Sequence, residues 1–258
     1  SPYARGLGDG YTRMGLREEK AGGLIDKIRQ TPNYAGLRRY RYDNNGYSIE
    51  DALKLVETIG KRRTPDFVID GKNRFVYENF VKWCHCDPTM KRIHPKSREI
   101  IPGDLYAGIY IGGKTGTGKT WSLEVMKEYI SLHSFRITLR PGRNDEDTRQ
   151  MSWRFIRSDE ICENFASDGF LRELKAIPLL ALDDVGSEPE NAVYMGNRID
   201  VIRQLIESRC DRDDRITIIT SNFRLGGWKL MERYGDRVVS RLSRFNYLEM
   251  GDSDRREI

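Results

Sequence analysis

Short runs rich in apolar residues alternate along this chain with segments in which apolar residues are spaced three or four apart. Such short runs are typical of buried strands, and the wider spacing is typical of helices that bury one face. The predicted strands lie at 107–113, 153–158, 178–186, 215–222 and 246–250. Because helical segments separate them, we predict an α/β fold with a parallel sheet that is covered on both faces.

Helical periodicity follows three of the predicted strands, and Ser158 is expected to cap the second of these helices. The predicted helices lie at 120–132, 159–165 and 197–210. Between two of the elements, the charged stretch 140–150 is typical of a loop. We expect it to be the tip of a hairpin that joins 136–139 to 153–155.

Residues 1–63 differ from the rest of the chain, since they are rich in Gly, Arg and Tyr and poor in apolar residues. One helix is predicted there: Ser48 is its N-cap, Asp51 completes a capping box, and Gly60 ends it. Beyond this point apolar residues recur regularly. We therefore predict a small and partly flexible N-terminal adaptor segment, 1–63, and a main domain, 64–258.

Composition narrows the class of protein. The 258 residues are 38% hydrophobic and 32% charged, and no apolar run approaches the roughly 20 residues that span a bilayer. Four cysteines in a chain of this length indicate a reducing compartment rather than a disulfide framework. We therefore expect a cytoplasmic protein without a membrane partner. The net charge of +5 permits a nucleic-acid partner without requiring one.

A glycine-rich loop follows the first predicted strand and precedes the first helix of the main domain. It matches G-x-x-x-x-G-K-[ST], in which backbone N–H groups and the start of a helix bind phosphate oxygens. In this pattern the lysine reaches the β- and γ-phosphates, and the hydroxyl of the last residue binds Mg²⁺. The predicted nucleotide-binding residues are Gly113, Lys114, Thr115, Gly116, Thr117, Gly118, Lys119, Thr120 and Trp121.

Two carboxylates end the apolar strand at 178–186. Asp183 is expected beside the phosphate-binding loop, where a carboxylate binds Mg²⁺, usually through water. We expect Thr120 and Asp183 to form the Mg²⁺ site, and Asp184 to orient the attacking water. Since many motor ATPases carry Glu at the second position, the shorter Asp184 reaches less far toward that water. An exposed acidic pair is the structural alternative.

Two further motifs follow. Asn222 ends an apolar strand, where a buried polar group needs a partner, and we expect that strand to lie between the loop strand and the Asp183 strand. The amide would then lie near the γ-phosphate. Beyond it, Arg237, Arg241 and Arg244 recur at helical spacing. An arginine on this face would reach the γ-phosphate held by a neighbouring subunit, although a solvated basic helix is the plainer alternative.

These four motifs, in this order, resemble those of the AAA+ ATPases. The stretches "GGKTGTGKT", "LLALDDVGSE", "IITSNF" and "YGDRVVSRLSRF" are most similar to the bacterial helicase-loader and IstB-like transposition-ATPase branch, and the likeness covers 67–256. The resemblance implies a three-layer P-loop NTPase fold with an AAA+ core at 64–258. It implies that Asn222 is sensor 1, that Arg241 is the arginine finger with Arg237 as second candidate, and that residues 67–70 border the adenine. Only eight residues follow 250, so no C-terminal helical lid is expected.

The resemblance also implies a function. It predicts a Mg-ATP-dependent ATPase that self-associates with ATP and acts on nucleic-acid machinery. The predicted partners are a replicative helicase or a transposase, together with single- or double-stranded DNA. A nucleotide-gated protein-binding adaptor with incidental hydrolysis remains an alternative, and a small-molecule kinase is a more distant one. No N-K-x-D or L-S-G-G-Q motif is present, which argues against a GTPase and a transporter ATPase.

Two lesser features stay open. Cys84 and Cys86 flank His85, which suggests zinc, but tetrahedral sites use two separated ligand pairs and the later histidines do not provide the spacing. Packing is the favoured role of these cysteines. The Arg- and Tyr-rich stretch 36–47 suits stacking on single-stranded nucleic acid, but equally suits a solvated turn or a protein-docking strand.

Overall fold

The computed structural model describes residues 38–40, 47–133, 135–138, 148–168, 171–212 and 214–251. The chain divides into two compact units, 1–35 and 36–258, and every described residue belongs to the second. Apart from 38–40 and Tyr47, the stretch 36–47 lies outside the described residues, so its contact with nucleic acid stays a prediction.

The described residues form twelve strands and seven helices. The strands are β1 (Arg38–Tyr40), β2 (Lys91–Ile93), β3 (Ile100–Pro102), β4 (Ile109–Gly112), β5 (Arg136–Thr138), β6 (Thr148–Gln150), β7 (Arg154–Arg157), β8 (Leu179–Val185), β9 (Ala192–Tyr194), β10 (Asn197–Ile199), β11 (Ile216–Ser221) and β12 (Asn246–Glu249). The helices are α1 (Ile49–Arg63), α2 (Arg74–Cys84), α3 (Lys119–Leu132), α4 (Ser158–Asp168), α5 (Leu171–Ala176), α6 (Val201–Cys210) and α7 (Trp228–Leu242).

A five-stranded sheet with the order β12-β4-β11-β8-β7 forms the centre of this unit. Every neighbouring pair in it is parallel. The five predicted strands are therefore confirmed as one parallel sheet. The expected position of β11, between the loop strand β4 and the Asp183 strand β8, is also confirmed. Because the strands are parallel, the residues that follow β4, β8 and β11 meet at one edge of the sheet.

Helices cover both faces of the sheet. Ile109 and Ile111 pack in one hydrophobic cluster with residues of α1, α2 and α3. Tyr110, which lies between them, packs in a second cluster with residues of α4, α5, α6 and α7. Successive residues of a strand point to opposite faces, so β4 is buried on both sides. The predicted three-layer α/β P-loop fold is confirmed.

The helix predicted in the adaptor segment forms, but it does not end at Gly60. Ser48 caps α1 by accepting a hydrogen bond from the Asp51 amide at 3.4 Å, and the helix continues to Arg63. A Cβ at Gly60 would lie 2.1 Å from Cδ1 of Phe67, so close packing explains this glycine. Arg63 pairs with Glu124 of α3 at 3.0 Å. The domain boundary at 63/64 stays a prediction.

Two other predicted boundaries are corrected. Residues 197–199 are not helical but form β10, which pairs with β9 through a two-residue turn at Met195 and Gly196. Both turn residues have positive φ, 50° and 81°, the combination that suits the twist of a hairpin. The predicted hairpin is also present, but β5 pairs with β6 rather than with 153–155, which open into β7 of the main sheet. Among the described residues, none of the helices combines the length and apolarity needed to cross a membrane.

Candidate functional site

The glycine-rich loop connects β4 to α3, as its motif predicts. Gly113, Gly116 and Gly118 have positive φ values of 156°, 84° and 93°, which favour glycine over residues with a side chain. A Cβ at Gly113 would also lie 2.9 Å from Oγ1 of Thr117. The loop therefore needs all three glycines for conformation, and Gly113 for space as well. It leads into the first turn of α3, where the helix dipole favours an anion.

Lys119 is buried at the first position of α3, with 6% of its surface exposed. Its ammonium donates one hydrogen bond to the carbonyl of Lys114 and one to Oδ1 of Asn222, both at 2.8 Å. Both acceptors are uncharged at this position, and a phosphate oxygen is a stronger acceptor for an ammonium. The bond to Asn222 links the loop to the end of β11.

Asp183 is fully buried beside the start of α3. The hydroxyl of Thr120 lies 3.0 Å from both carboxylate oxygens, and Oγ1 of Thr220 donates to Oδ1 at 2.5 Å. Burial raises the pKa of Asp183 above its usual value, and the two hydroxyls partly oppose that shift. A hydroxyl and a buried carboxylate in contact are oxygen ligands of the kind that Mg²⁺ prefers, so the predicted metal residues fit this ion.

Thr220 was missed by the sequence reasoning. Its hydroxyl donates to Asp183 and accepts a hydrogen bond from the Asp184 amide at 2.9 Å. The pairing of β11 with β8 shifts register between Ile219 and Ser221, and Thr220 lies in that irregularity. The only available signal was a hydroxyl residue near the end of an otherwise apolar strand.

Asp184 lies near the end of β8 and begins the turn 184–187, in which the Ser187 amide donates to its carbonyl at 3.1 Å. Its φ is 56°, and its carbonyl accepts hydrogen bonds from the hydroxyls of Ser158 and Ser187 at 2.9 and 2.7 Å. Its carboxylate accepts a bond from the Asn222 amide at 3.3 Å. Asn222 therefore bridges Lys119 and Asp184. The amide is exposed rather than buried, which corrects the expectation that it would be a buried polar group at a strand end.

A cavity of about 950 Å³ lies next to the loop. Its lining includes Thr115 to Trp121 of the loop and α3 and, opposite them, Phe67, Val68 and Asp70. The segment expected to border an adenine thus faces the same cavity as the phosphate-binding residues. The rings of Phe67 and Trp121 lie 6.3 Å apart. Among the described residues, the buried indole Nε1 of Trp121 has no hydrogen-bond partner.

Arg157 also lines this cavity, and it was not among the predicted residues. It ends β7, where its backbone lies in register with Asp183. Asp159 holds the guanidinium with two hydrogen bonds of 3.1 and 3.0 Å. These bonds raise the pKa of Arg157, with smaller contributions from Asp183 and Asp184. The rule that strand ends meet at one edge of a parallel sheet identifies such a residue only when the strand order is known.

The predicted arginine helix is kinked and shorter than expected. Gly235, with φ 77° and ψ 170°, divides α7, and the helix ends at Leu242, so Arg244 lies beyond it. Arg241 donates to both carboxylate oxygens of Asp211 at 2.7 and 3.0 Å. Arg237 is exposed, and its guanidinium makes no ion pair with the residues that the structure describes. Neither arginine lines the cavity of its own chain.

The parallel sheet, its covering helices and the glycine-rich loop together define a three-layer α/β fold of the P-loop class. No protein-family model matches the chain, and no curated protein matches it. Among solved structures, the chain is similar to DnaI, with 18% identity and a TM-score of 0.45 over 72% of this chain and 87% of that one. It is similar to the DnaC helicase loader, with 18% identity and a TM-score of 0.46 over 72% of this chain and 94% of that one. It is also similar to a putative primosome component from Streptococcus pyogenes serotype M3, with 16% identity and a TM-score of 0.46 over 78% of this chain and 97% of that one. At this identity the likeness concerns the fold alone.

The described residues do not support a zinc site at Cys84 and Cys86. Among them, no group of three or more His, Cys, Asp or Glu residues is arranged to hold a metal ion. His85 instead takes part in an aromatic cluster. Its Nε2 lies 2.6 Å from the hydroxyl of Tyr129, and its ring stacks on Tyr47 with centroids 3.9 Å apart. Cys84 and Cys86 are buried, and neither forms a disulfide bond with another described residue.

Proposed function

We propose that this chain binds ATP with Mg²⁺ and hydrolyses it as an AAA+ ATPase that acts on nucleic-acid machinery. One observation carries the proposal: Asn222 bridges Lys119 of the phosphate-binding loop and Asp184 of the acidic strand, at 2.8 and 3.3 Å. The Thr120 and Asp183 pair lies beside this bridge. A phosphate-binding cation, a metal ligand and a carboxylate for water are thus within reach of one phosphoryl group.

Binding begins at the loop. The backbone N–H groups of the loop and the first turn of α3 bind the phosphates, and Lys119 exchanges its bond with Asn222 for a phosphate oxygen. When Mg²⁺ is bound, Thr120 and Asp183 hold it, and it supplies positive charge to the β- and γ-phosphates. Loss of the bond to Lys119 lets the Asn222 side chain turn, so that an Nδ2–H donates to the γ-phosphate, and the orientation of the amide depends on whether that group is present.

Hydrolysis depends on Asp184. Its carboxylate accepts a hydrogen bond from the Asn222 amide and orients the attacking water toward the γ-phosphorus. The side chain is one methylene shorter than that of Glu, but two serine hydroxyls hold its carbonyl and so fix the turn that carries it. The alternative, a nucleotide-gated adaptor with incidental hydrolysis, is favoured by this short reach and by nothing else in the site.

Substitution of the loop lysine tests the proposal. Lys119→Ala removes the cation that binds the phosphates, so ATP affinity should fall about a hundredfold or more. Asp183→Asn should retain most of the binding and lose hydrolysis. Lys127→Ala is the matched control, since Lys127 is an exposed lysine of the same helix. Calorimetric titration with ATP and a phosphate-release assay measure both quantities. Normal turnover in either site variant would sink the assignment.

Self-association completes the site in this proposal. The motif resemblance assigns the trans arginine to Arg241 first and Arg237 second. The bidentate pair of Arg241 with Asp211 requires that Arg241 leave this partner before it reaches a neighbour, whereas Arg237 is already exposed. Loss of the true finger should lower turnover roughly a thousandfold with little change in ATP affinity.

A mixing experiment identifies the finger. Each arginine is changed to Ala and mixed with Lys119→Ala, which retains both arginines but lacks a working phosphate site. Recovered turnover in a mixture shows that an intact arginine acts on the neighbour's intact site. If both arginine variants hydrolyse ATP normally by themselves, the trans mechanism is wrong.

The partner is proposed from the motifs alone: a replicative helicase or a transposase, with DNA, acting in the cytoplasm. Pull-down of the full chain with each candidate protein, with and without a non-hydrolysable ATP analogue, separates the two. DNA binding should weaken steeply with added salt, because phosphate contacts release counterions. Tight ATP-dependent partner binding with negligible turnover would support the adaptor instead.

A further inference from the structure

A buried ion pair lies next to the acidic strand and outside the cavity. The side chain of Glu188, five residues after Asp183, is fully buried. Its Oε1 accepts hydrogen bonds from Arg233 at 2.8 Å and from the hydroxyl of Tyr234 at 2.5 Å. Its Oε2 accepts a bond from the amide of Gly186 at 2.7 Å. One carboxylate thus joins the turn that follows β8 to the first half of α7.

Arg233 extends this contact to a second element. Its other terminal nitrogen donates to Asp200 at 2.7 Å, and Asp200 is the N-cap of α6. Only 9% of the Arg233 side chain is exposed. Burial, reinforced by the charge of Glu188, raises the pKa of Tyr234, so its hydroxyl retains the proton that it donates. Both carboxylate oxygens of Glu188 and both terminal nitrogens of Arg233 therefore have a partner.

Desolvation offsets most of the attraction in a buried ion pair, so such a pair is weak evidence for stability. A pair of this kind does fix the relative position of the elements that it joins. Gly186 is two residues from Asp184, and Tyr234 immediately precedes Gly235, where α7 is kinked. The network therefore connects the water-orienting turn to the point at which the arginine-bearing half of α7 begins.

Gly235 has the conformation expected of a hinge. A Cβ there would meet only Nη2 of Arg203, at 3.9 Å, so space does not require a glycine. The φ of 77° does, because side chains disfavour this region. The backbone at Gly235 can therefore change direction without a clash at that residue, although Val238 and Leu242 of the second half of α7 are buried and must move with it.

We propose that Glu188 is a positioning residue that couples the Asp184 turn to the arginine-bearing half of α7. The inference rests on the proposed function. A γ-phosphate that draws Lys119 away from Asn222 changes the contacts of Asp184, and Gly186 passes the shift of the turn to Glu188. Arg233 and Tyr234 then set the direction of the residues beyond Gly235. Nucleotide state thereby decides where Arg237 and Arg241 are presented to a neighbouring subunit.

Two variants test the coupling. Glu188→Gln keeps the shape of the side chain and removes its charge, and Tyr234→Phe removes one donor while its ring still packs. Both should bind the ATP analogue within about twofold of wild type. Both should lose about tenfold or more in kcat, and their self-association should no longer depend on nucleotide.

Thr217→Val is the matched control, because it removes a buried acceptor at the opposite end of the sheet. If this variant, at equal loss of stability, lowers kcat as far as Glu188→Gln, the effect is general destabilisation and the coupling is overturned. Unchanged kcat and nucleotide-dependent association in both test variants overturn it as well. Failure of wild type to bind or hydrolyse ATP is a separate result: it refutes the proposed function and removes the basis of the coupling.

Discussion

Two buried cations lie at opposite ends of the central sheet, and their acceptors differ in kind. Arg209, 1% exposed, donates to the carbonyls of Leu174, Ile177 and Ile216 and to Oγ1 of Thr217, at 2.6 to 2.9 Å. Lys119 donates to the carbonyl of Lys114 and to the rotatable amide of Asn222. The acceptors of Arg209 mostly belong to the backbone, whereas a phosphate can replace an acceptor of Lys119.

The difference separates a structural cation from a binding one. The carbonyls around Arg209 come from α5, from Ile177 in the connection between α5 and β8, and from the start of β11, so the guanidinium ties these segments together. Burial lowers the pKa of Arg209 to about 9, yet four acceptors stabilise its charged form. Burial alone therefore does not identify a cation that binds a ligand. Such a cation is identified by an acceptor that can turn away and be replaced by a ligand oxygen.

The largest expected effect is a loss of stability on substitution of the structural cation, Arg209. Arg209→Leu leaves three buried carbonyls and one hydroxyl without their donor, and each unsatisfied group costs about 1–3 kcal/mol. The free energy of unfolding should fall by about 3 kcal/mol or more, as measured by urea denaturation. A variant that unfolds at the wild-type urea concentration would show that these carbonyls find other donors.

The reciprocal substitution is Lys119→Met, which also replaces a buried cation with an apolar side chain. Here the free energy of unfolding should remain within about 1 kcal/mol of wild type, because the amide of Asn222 is exposed and can turn to water. ATP affinity should fall about a hundredfold. Urea denaturation and calorimetric titration on the same preparation check both values, and a large loss of stability would contradict the comparison.

A third variant separates binding from turnover at the Lys119 end. Asn222→Ala removes the bridge to Asp184, so kcat should fall roughly tenfold to a hundredfold. The KM for ATP should change little, because Lys119 and the loop still bind the phosphates. Steady-state kinetics distinguishes this outcome from a rise in KM at constant kcat, which would make Asn222 a binding residue only.

The smallest effect is expected from Thr217→Val at the Arg209 end. One acceptor of four is lost, and the free energy of unfolding should fall by about 1 kcal/mol. Turnover per folded molecule should be unchanged. A fall in kcat larger than the fall in folded fraction would mean that loss of stability at this end of the sheet lowers turnover in the molecules that remain folded.

Features that depend on residues near each other in the sequence could be predicted, whereas features that depend on residues far apart along the chain could not. The loop and the acidic strand were predicted because each has a local pattern, whereas the order of β4, β11 and β8 was part of the proposed sheet. Thr220, Arg157 and Glu188 were not predicted, since their partners lie far away along the chain and meet them only in the folded sheet. Even Arg209, which ends an amphipathic helix, has no local pattern that distinguishes it from a solvated arginine.

Local signals also failed where one residue type serves two purposes. Gly60 has the position of a helix C-cap but provides space for Phe67. The turn at Met195 and Gly196 lacks the Asn-Gly or Asp-Gly pair that predicts such a hairpin, so β10 was assigned to the helix that follows it. Gly60 is needed for space, whereas Gly196 is needed for its positive φ of 81°, because a Cβ there would have no atom within 4 Å.

Helix α6 is held at both ends by α7. Its N-cap, Asp200, pairs with Arg233, and its C-cap, Asp211, pairs with Arg241. The ten residues of α6 rise by about 15 Å, and each added residue would turn the helix end by about 100°. An insertion or deletion within α6 would therefore carry one aspartate away from its arginine. Many sequences can form this helix, but only one length keeps both pairs.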